Sequence, residues 1–282
     1  MKTSVTMQQD VRDVIFEPIA DRLFTGDIRV ERDGIVAGVA RLKVALQELG
    51  VTIAYLAEEG MSVPTGTVVA TITGSPKQLA LAEEFAIGLL AKPSGIATAA
   101  RRAVTLAGGD FRIAAGAWKK VAPELKGSVR EAVSTGGAFF RISDKPFLYL
   151  DKNFVRMLGG IRETLEAVAA MDDKVKSIQI KGEFGDIVEE AFLAVRCGAD
   201  ILMVDTGNLQ DVLRINLALI NAGLRDKVKI AFAKGIGLET IPNLKGFGIE
   251  ILDIGTGIVD APLLDMKLDV RKEDNGSWKS IF

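Results

Sequence analysis

Histidine is missing from this 282-residue chain, and cysteine occurs once. The first absence removes the commonest general base and the commonest zinc ligand. Any chemistry must therefore run on Asp, Glu, Lys, Tyr or the single thiol, or need little proton transfer. A lone Cys197 excludes an intramolecular disulfide framework and fits a reducing compartment. It closes the apolar helical run Ala194-Val195-Arg196-Cys197 and reads as a buried structural thiol. No apolar run reaches the roughly 18 residues of a membrane span, and no basic-then-apolar leader opens the sequence. A cytoplasmic protein with no membrane partner is expected. Excess charge of one sign is lacking too: the formal net charge is −2. A phosphate-backbone binder shows a basic surplus, so no nucleic-acid partner is expected. Small anionic ligands stay open, because one pocket can be basic within a neutral protein.

What is present is an ordinary globular balance, 48% apolar and 26% charged, in a length of about two domains. Residues 28–74 read as short strands with Gly-marked turns around Asp33-Gly34 and Glu59-Gly60, plus helical spacing over 40–49. The apolar run 35–39 is counted among those strands. Ser75-Pro76 is a helix start, and the helical pattern from 77 to 106 is interrupted at Lys92-Pro93-Ser94-Gly95. Proline removes a helix donor, so two helices meeting near Pro93 are predicted.

After Gly108-Gly109 the pattern changes. Short apolar runs at 111–114, 139–142, 147–150, 175–180, 201–204, 228–232 and 249–254 alternate with helical patterns at 154–170, 186–197, 208–222 and 238–244. Continuous apolar strands between helices predict a helix-covered parallel sheet. Its expected form is a small β/α barrel; periodicity alone leaves a doubly wound open sheet as the alternative. Residues 263–270 alternate again and are expected to return to the first domain's sheet.

Several of these strands end in an ionisable residue: Asp151, Lys181, Asp205, Lys234 and Asp253. Strand C-termini are where active sites of α/β barrels and open sheets gather, so these residues predict a functional mouth, led by Asp205 and Lys234. A strand meeting water also turns polar, which is the structural alternative for any one of them. Glycines follow at the same end, in Lys234-Gly235-Ile236-Gly237 and Ile254-Gly255-Thr256-Gly257. Their backbone amides suit a phosphate, notably Gly235, Gly255 and Gly257. Arg141 lies within the apolar run Ala138–Ile142, where a buried guanidinium is expected to hold an anion.

Longer motifs carry a resemblance. Arg32-Asp33-Gly34-Ile35-Val36-Ala37-Gly38 resembles "REDGVLAG", and Ser94-Gly95-Ile96-Ala97-Thr98 with Arg101-Arg102 resembles "SGIAT…RR". Gly198 to Asp205 (GADILMVD) is similar to "GADIIMLD", and Ile251 to Asp269 (ILDIGTGIVDAPLLDMKLD) to "YISVGALTHSVKALDISLD". These are motifs of quinolinate phosphoribosyltransferase, the carboxylating nicotinate-nucleotide pyrophosphorylase family, and they run in the same order over roughly residues 25–270. The resemblance implies an α/β protein with an N-terminal α/β sandwich domain plus an incomplete β/α barrel. The domains expected are 1–109, joined by the tail 263–282, and 110–262. It further implies a homodimer or dimer-based oligomer, Mg2+, and transfer of a phosphoribosyl group from phosphoribosyl pyrophosphate to quinolinate with loss of carbon dioxide.

The family's charged motifs are mostly replaced. Its Arg in "ERTALN" becomes Glu84, and "DTRKT" becomes Ala115-Gly116-Ala117-Trp118-Lys119. "HNHR" becomes Ala138-Phe139-Phe140-Arg141, "KDNH" becomes Asp151-Lys152-Asn153-Phe154, and the paired glutamates of "EVE" become Gln179 and Lys181. Asp205, Gly235 and Gly255 survive. Leaving a desolvated carboxylate without its partner costs about 3–5 kcal/mol, so ordinary quinolinate chemistry is not expected. The expectation is a divergent phosphoribosyltransferase with an altered acceptor, binding a small phosphorylated ligand. Lys181, Asp205 and Lys234 are its candidate catalytic residues, with Asp205 also the candidate magnesium ligand. Gly235, Gly255 and Gly257 hold phosphate, and Arg102, Arg141 and Lys152 hold substrate. Two alternatives remain: a non-catalytic binder of nucleotides or sugar phosphates, and Schiff-base chemistry on Lys181 or Lys234 if burial makes either amine nucleophilic.

Overall fold

The computed structural model describes residues 10–116, 118–271 and 280–281. The chain divides into two compact units, one running to Thr98 and resuming at Pro262, the other Ala99–Ala261.

The first unit begins with the short helix α1 (Val11–Ile15) and is built on antiparallel strands β1 (Leu23–Val30), β3 (Thr52–Leu56), β5 (Val68–Gly74) and β12 (Met266–Val270), in the order β12-β1-β5-β3. β13 (Ser280–Ile281) pairs with the start of β1. A separate two-stranded antiparallel sheet pairs β2 (Gly34–Ile35) with β4 (Ser62–Val63), so the strand expected over 35–39 is only two residues long. Helix α2 (Val39–Glu48) follows Gly38 at φ 94°, and the Glu59 carboxylate accepts the Gly38 and Val39 amides at its N-terminus. Its Leu42 and Leu46, four residues apart, join Ile28, Ile72, Leu79 and Leu90 in the core.

Helix α3 (Pro76–Ala107) starts on a capping box: Ser75 Oγ accepts the Gln78 amide at 3.3 Å, and Gln78 Oε1 accepts the Ser75 amide at 2.8 Å. It then runs unbroken through Pro93, against the expectation of two helices. The reason is tertiary. Proline cannot bond the Leu89 carbonyl one turn back, and that carbonyl lies so close to Gly38 that a side chain there would overlap it. Just beyond, buried Ser94 accepts the Ala37 amide (2.9 Å) and donates to its carbonyl, while Thr98 Oγ1 accepts the Ile35 amide (2.9 Å). Gly95 crosses the Pro262–Leu263 backbone, leaving no room for a methyl group. The "SGIAT" motif is thus a packing device.

In the second unit six parallel strands, β6 (Arg112–Ala114), β7 (Phe147–Leu150), β8 (Val175–Ile180), β9 (Ile201–Val204), β10 (Lys229–Ala233) and β11 (Ile251–Asp253), form the order β6-β11-β10-β9-β8-β7. The sheet curls into a half-barrel. Ala114, Ile142, Ile201, Met203, Ala231, Ala233 and Ile251 fill its inside with Phe147, Tyr149 and Val175. Alternate residues such as Ile178, Leu202, Ile230 and Leu252 are fully buried as well, which is why the strands read as continuous apolar runs. Helices α4 (Lys126–Thr135), α5 (Lys152–Leu158), α6 (Ile161–Glu166), α7 (Ile187–Arg196), α8 (Leu209–Asn221) and α9 (Thr256–Val259) connect the strands.

Three expectations change here. The strand over 139–142 shrinks to a single bridge, Phe139 to Ala114, because Ser143–Pro146 turns the chain away. Arg141 is exposed and lies over the Phe140 ring, not buried among apolar neighbours. Cys197 is half-buried where α7 ends, not a core thiol. No helix among the described residues is long and apolar enough to cross a membrane.

Candidate functional site

A cavity of about 480 Å³ opens at the C-terminal ends of the parallel strands. Tyr149 and Asp151 reach it from β7, Gln179 from β8, Asp205 from just past β9, Asp253 from β11, and Ala115 and Gly116 from the loop after β6. Strand direction explains the gathering: in a parallel sheet all C-terminal ends fall on one side, and the following loops converge there.

The polar side chains are tied to one another. Gln179 accepts the Lys152 amide on Oε1 (2.6 Å) and donates through Nε2 to Asp205 Oδ2 (2.5 Å). Lys181 Nζ donates to the Asp205 carbonyl (2.9 Å) and to the same Oδ2 (3.3 Å). Asp205 Oδ1 has no hydrogen bond among the described residues, and Asp205 lines the cavity. Lys181 is itself placed by Glu190, which is buried on α7 and accepts the Lys181, Gly182 and Phe184 amides.

Asp151 ends β7 and caps α5, accepting the Asn153 and Phe154 amides. Burial would raise its carboxyl pKa, but Lys119 and those two amides prevail and hold it below the usual carboxylate range. Lys119 also stands 6.0 Å from the Tyr149 ring centre. Asp253 behaves oppositely. Burial, reinforced by the charge of Asp205, pushes its carboxyl up to about 6, with only the Gly116 backbone opposing. Its Oδ1 is buried without a hydrogen-bond partner. Burial and the neighbouring carboxylates Asp253, Asp205 and Asp151 raise the Tyr149 phenol, which stays neutral.

Around this cavity the structure brings together Asp205, Lys181, Lys152 and Arg141, the last two exposed at the rim. Gly235, Gly255 and Gly257 belong to two touching turns, with the Ile236 carbonyl 3.9 Å from where a Cβ on Gly257 would lie. These glycines are not among the cavity-lining residues. Lys234 is exposed and also outside the lining; its backbone, at φ 78°, is the one positive-φ non-glycine position among the described residues. Arg102 pairs with Glu239 at 2.6 Å, both exposed, away from the cavity. Neither lysine meets the condition set for Schiff-base chemistry, since Lys181 is ion-paired and Lys234 is in solvent. The sequence reading under-weighted Asp253, Tyr149 and Gln179. Asp253 carried a signal as a strand-end carboxylate and Gln179 as the replacement of a glutamate of "EVE"; Tyr149 carried only its inward strand phase.

Two family models match the chain in tandem: Quinolinate phosphoribosyl transferase, N-terminal domain, over residues 13–94, and Quinolinate phosphoribosyl transferase, C-terminal domain, over 96–269. A relative named probable nicotinate-nucleotide pyrophosphorylase [carboxylating], from Methanothermobacter thermautotrophicus, is 27% identical over 267 residues, covering 92% of this chain and 93% of that one. The human nicotinate-nucleotide pyrophosphorylase [carboxylating] is 26% identical over 237 residues, covering 83% and 78%. The solved nicotinate-nucleotide pyrophosphorylase of Francisella tularensis superposes with a TM-score of 0.76 at 21% identity, covering 93% and 94%, and shares the fold. With both domain models matched in order across nearly all of its length, the chain belongs to the quinolinate phosphoribosyltransferase family.

Proposed function

We propose that this protein transfers the phosphoribosyl group of phosphoribosyl pyrophosphate to an acceptor less anionic than quinolinate. The observation that supports this is the charge of the strand-end cavity. Of its lining cations, Lys119 is committed to Asp151, and Lys120, Arg141 and Lys152 lie exposed at the rim, while among the described residues no cation pairs with Asp253. Ala117 and Trp118 stand where the resembling motif carries its Arg and Lys. A carboxylate group of quinolinate about 5 Å from an ionised Asp253 would be repelled by about 3 kcal/mol at an effective dielectric near 20. With its carboxyl near 6, Asp253 escapes that repulsion by taking a proton, which caps the penalty at neutral pH at about 1.4 kcal/mol, a factor of about 10.

In the proposed reaction an acceptor nitrogen attacks C1′ of the ribose, the C1′–O bond breaks, and diphosphate leaves with the electron pair. This step needs placement and charge stabilisation more than proton transfer, which suits a chain without histidine. Asp205 would hold ribose hydroxyls or a magnesium ion, with Lys181 and Gln179 fixing its rotamer. One open carboxylate oxygen fits a magnesium that keeps waters and takes its other ligands from substrate phosphates. Bound there, the ion would neutralise charge on the departing diphosphate. Lys152 and Arg141, free to swing at the rim, would steer the diphosphate. The turns of Gly235, Gly255 and Gly257 would hold phosphate through backbone amides, Lys234 acting through its backbone and charge. Arg102 would join only by leaving Glu239. A homodimer, as the resemblance implies, is part of this proposal.

The test is pyrophosphate release from phosphoribosyl pyrophosphate and Mg2+ across heterocyclic acceptors. Release with a non-dicarboxylate acceptor, lost in Asp205→Asn, is expected. Efficient turnover of quinolinate would refute the altered acceptor. No release with any acceptor, together with no stabilisation by phosphoribosyl pyrophosphate in thermal shift, would refute transfer.

A further inference from the structure

The half-barrel cavity contains a carboxylate whose needs the protein does not meet. Asp253 lines the cavity and its Oδ1 is buried with no hydrogen bond among the described residues; only the Gly116 backbone favours the charged carboxylate. Space for it is deliberate: a Cβ at position 116 would overlap the carboxylate, so only glycine there leaves Asp253 in place. On the two flanking strands, Asp253 pairs in register with Ala233 and Ala114, neither of which offers a donor or a charge. The Asp205 charge beside it only raises the cost of ionisation. The cations that line the cavity do not serve it. Lys119 turns to Asp151, while Arg141, Lys120 and Lys152 are exposed.

An isolated charge in such a place either takes a proton or receives a donor from a ligand. We propose that Asp253 selects the acceptor, receiving a ring N–H, an exocyclic amino group or a protonated heterocycle. This rests on the transferase reading for the word acceptor, but not for the binding itself. Tyr149, half-buried and lining the same cavity, offers an aromatic ring that suits a planar cationic ligand. The substrate class is therefore an amino- or imidazole-type heterocycle, and a pyridine acid is disfavoured.

The experiment is calorimetric titration of the full chain with 4-aminopyridine, cationic near neutral pH, against nicotinate, of similar size and opposite charge. Expected is at least about tenfold tighter binding of the cation. Asp253→Asn, isosteric and uncharged, should remove that preference. Asp253→Ser provides a second variant should the first fail to fold. Nicotinate binding as tightly as 4-aminopyridine, or a preference that survives in a folded variant, overturns the proposal. If cations bind through Asp253 yet no acceptor releases pyrophosphate, the transferase reading falls and this inference stands. If transfer occurs to anionic acceptors and ignores Asp253, this inference falls and the transferase reading stands.

Discussion

Glu190→Gln offers the sharpest test of how the site is held. The Glu190 carboxylate is 5% exposed and accepts three backbone N–H groups from the loop after β8: Lys181 at 3.1 Å and Gly182 at 2.8 Å on Oε2, and Phe184 at 2.7 Å on Oε1. Glutamine keeps the shape but brings one donor end. Its better orientation keeps oxygen toward Lys181 and Gly182 and turns its amide nitrogen on the Phe184 N–H. One charge-assisted bond, about 2 kcal/mol, is then lost, and the other two weaken by about 1 kcal/mol each. The loss in unfolding free energy should be about 3 to 4 kcal/mol, read from urea unfolding. Hydrogen exchange should speed up at the Lys181, Gly182 and Phe184 amides. Because Lys181 holds Asp205, pyrophosphate release should fall about tenfold or more for a misplaced catalytic carboxylate. A variant within 1 kcal/mol of the parent, with the three amides equally protected, would refute the reasoning.

The remaining predictions concern the first unit. Ser94→Ala strands the buried Ala37 amide and should cost about 2 kcal/mol. Gly95→Ala drives a methyl group into the Pro262 carbonyl and should cost about 3 kcal/mol or more in thermal or urea unfolding. Burial raises the Asp27 carboxyl, but bonds from Arg271 and Thr71 and the charges of Arg271 and Arg29 outweigh it, so its folded pKa lies below the ordinary 3.8. That stabilisation is complete above the unfolded value and disappears as pH falls from about 4 through the folded pKa. Asp27→Asn should flatten that acid limb of the stability curve, measured by urea midpoints between about pH 5 and pH 3. An unchanged limb would rule out Asp27 as its source.

Much of the fold was legible because it rests on local rules. Apolar runs of four to six residues separated by helical patterns pointed to a helix-covered parallel sheet, and Ser75-Pro76 marked the start of α3. Pro93 misled because the rule that breaks helices is also local. Here the freed Leu89 carbonyl lies against Gly38, and Ser94 and Thr98 bind the backbone of Ala37 and Ile35, more than 50 residues away in sequence. Arg141 misled for the same reason: an apolar run of sequence became a single bridge and an exposed turn. Among site residues, Asp205 was legible twice, as a strand end and within a motif. Lys234 looked equivalent by strand position, yet its backbone turns left-handed and leaves the side chain in solvent.

By itself the sequence determined most of the element types and, through its motifs, the family and its half-barrel fold. Each of these follows from spacing or from motif identity along the chain. Only the tertiary structure decided which charges are paired. Asp151 meets Lys119, Asp205 meets Gln179 and Lys181, and Asp253 meets no cation among the described residues, because strands far apart in sequence bring these groups together at the cavity. Charge at a buried site depends on distance and desolvation, and neither exists before the sheet has curled.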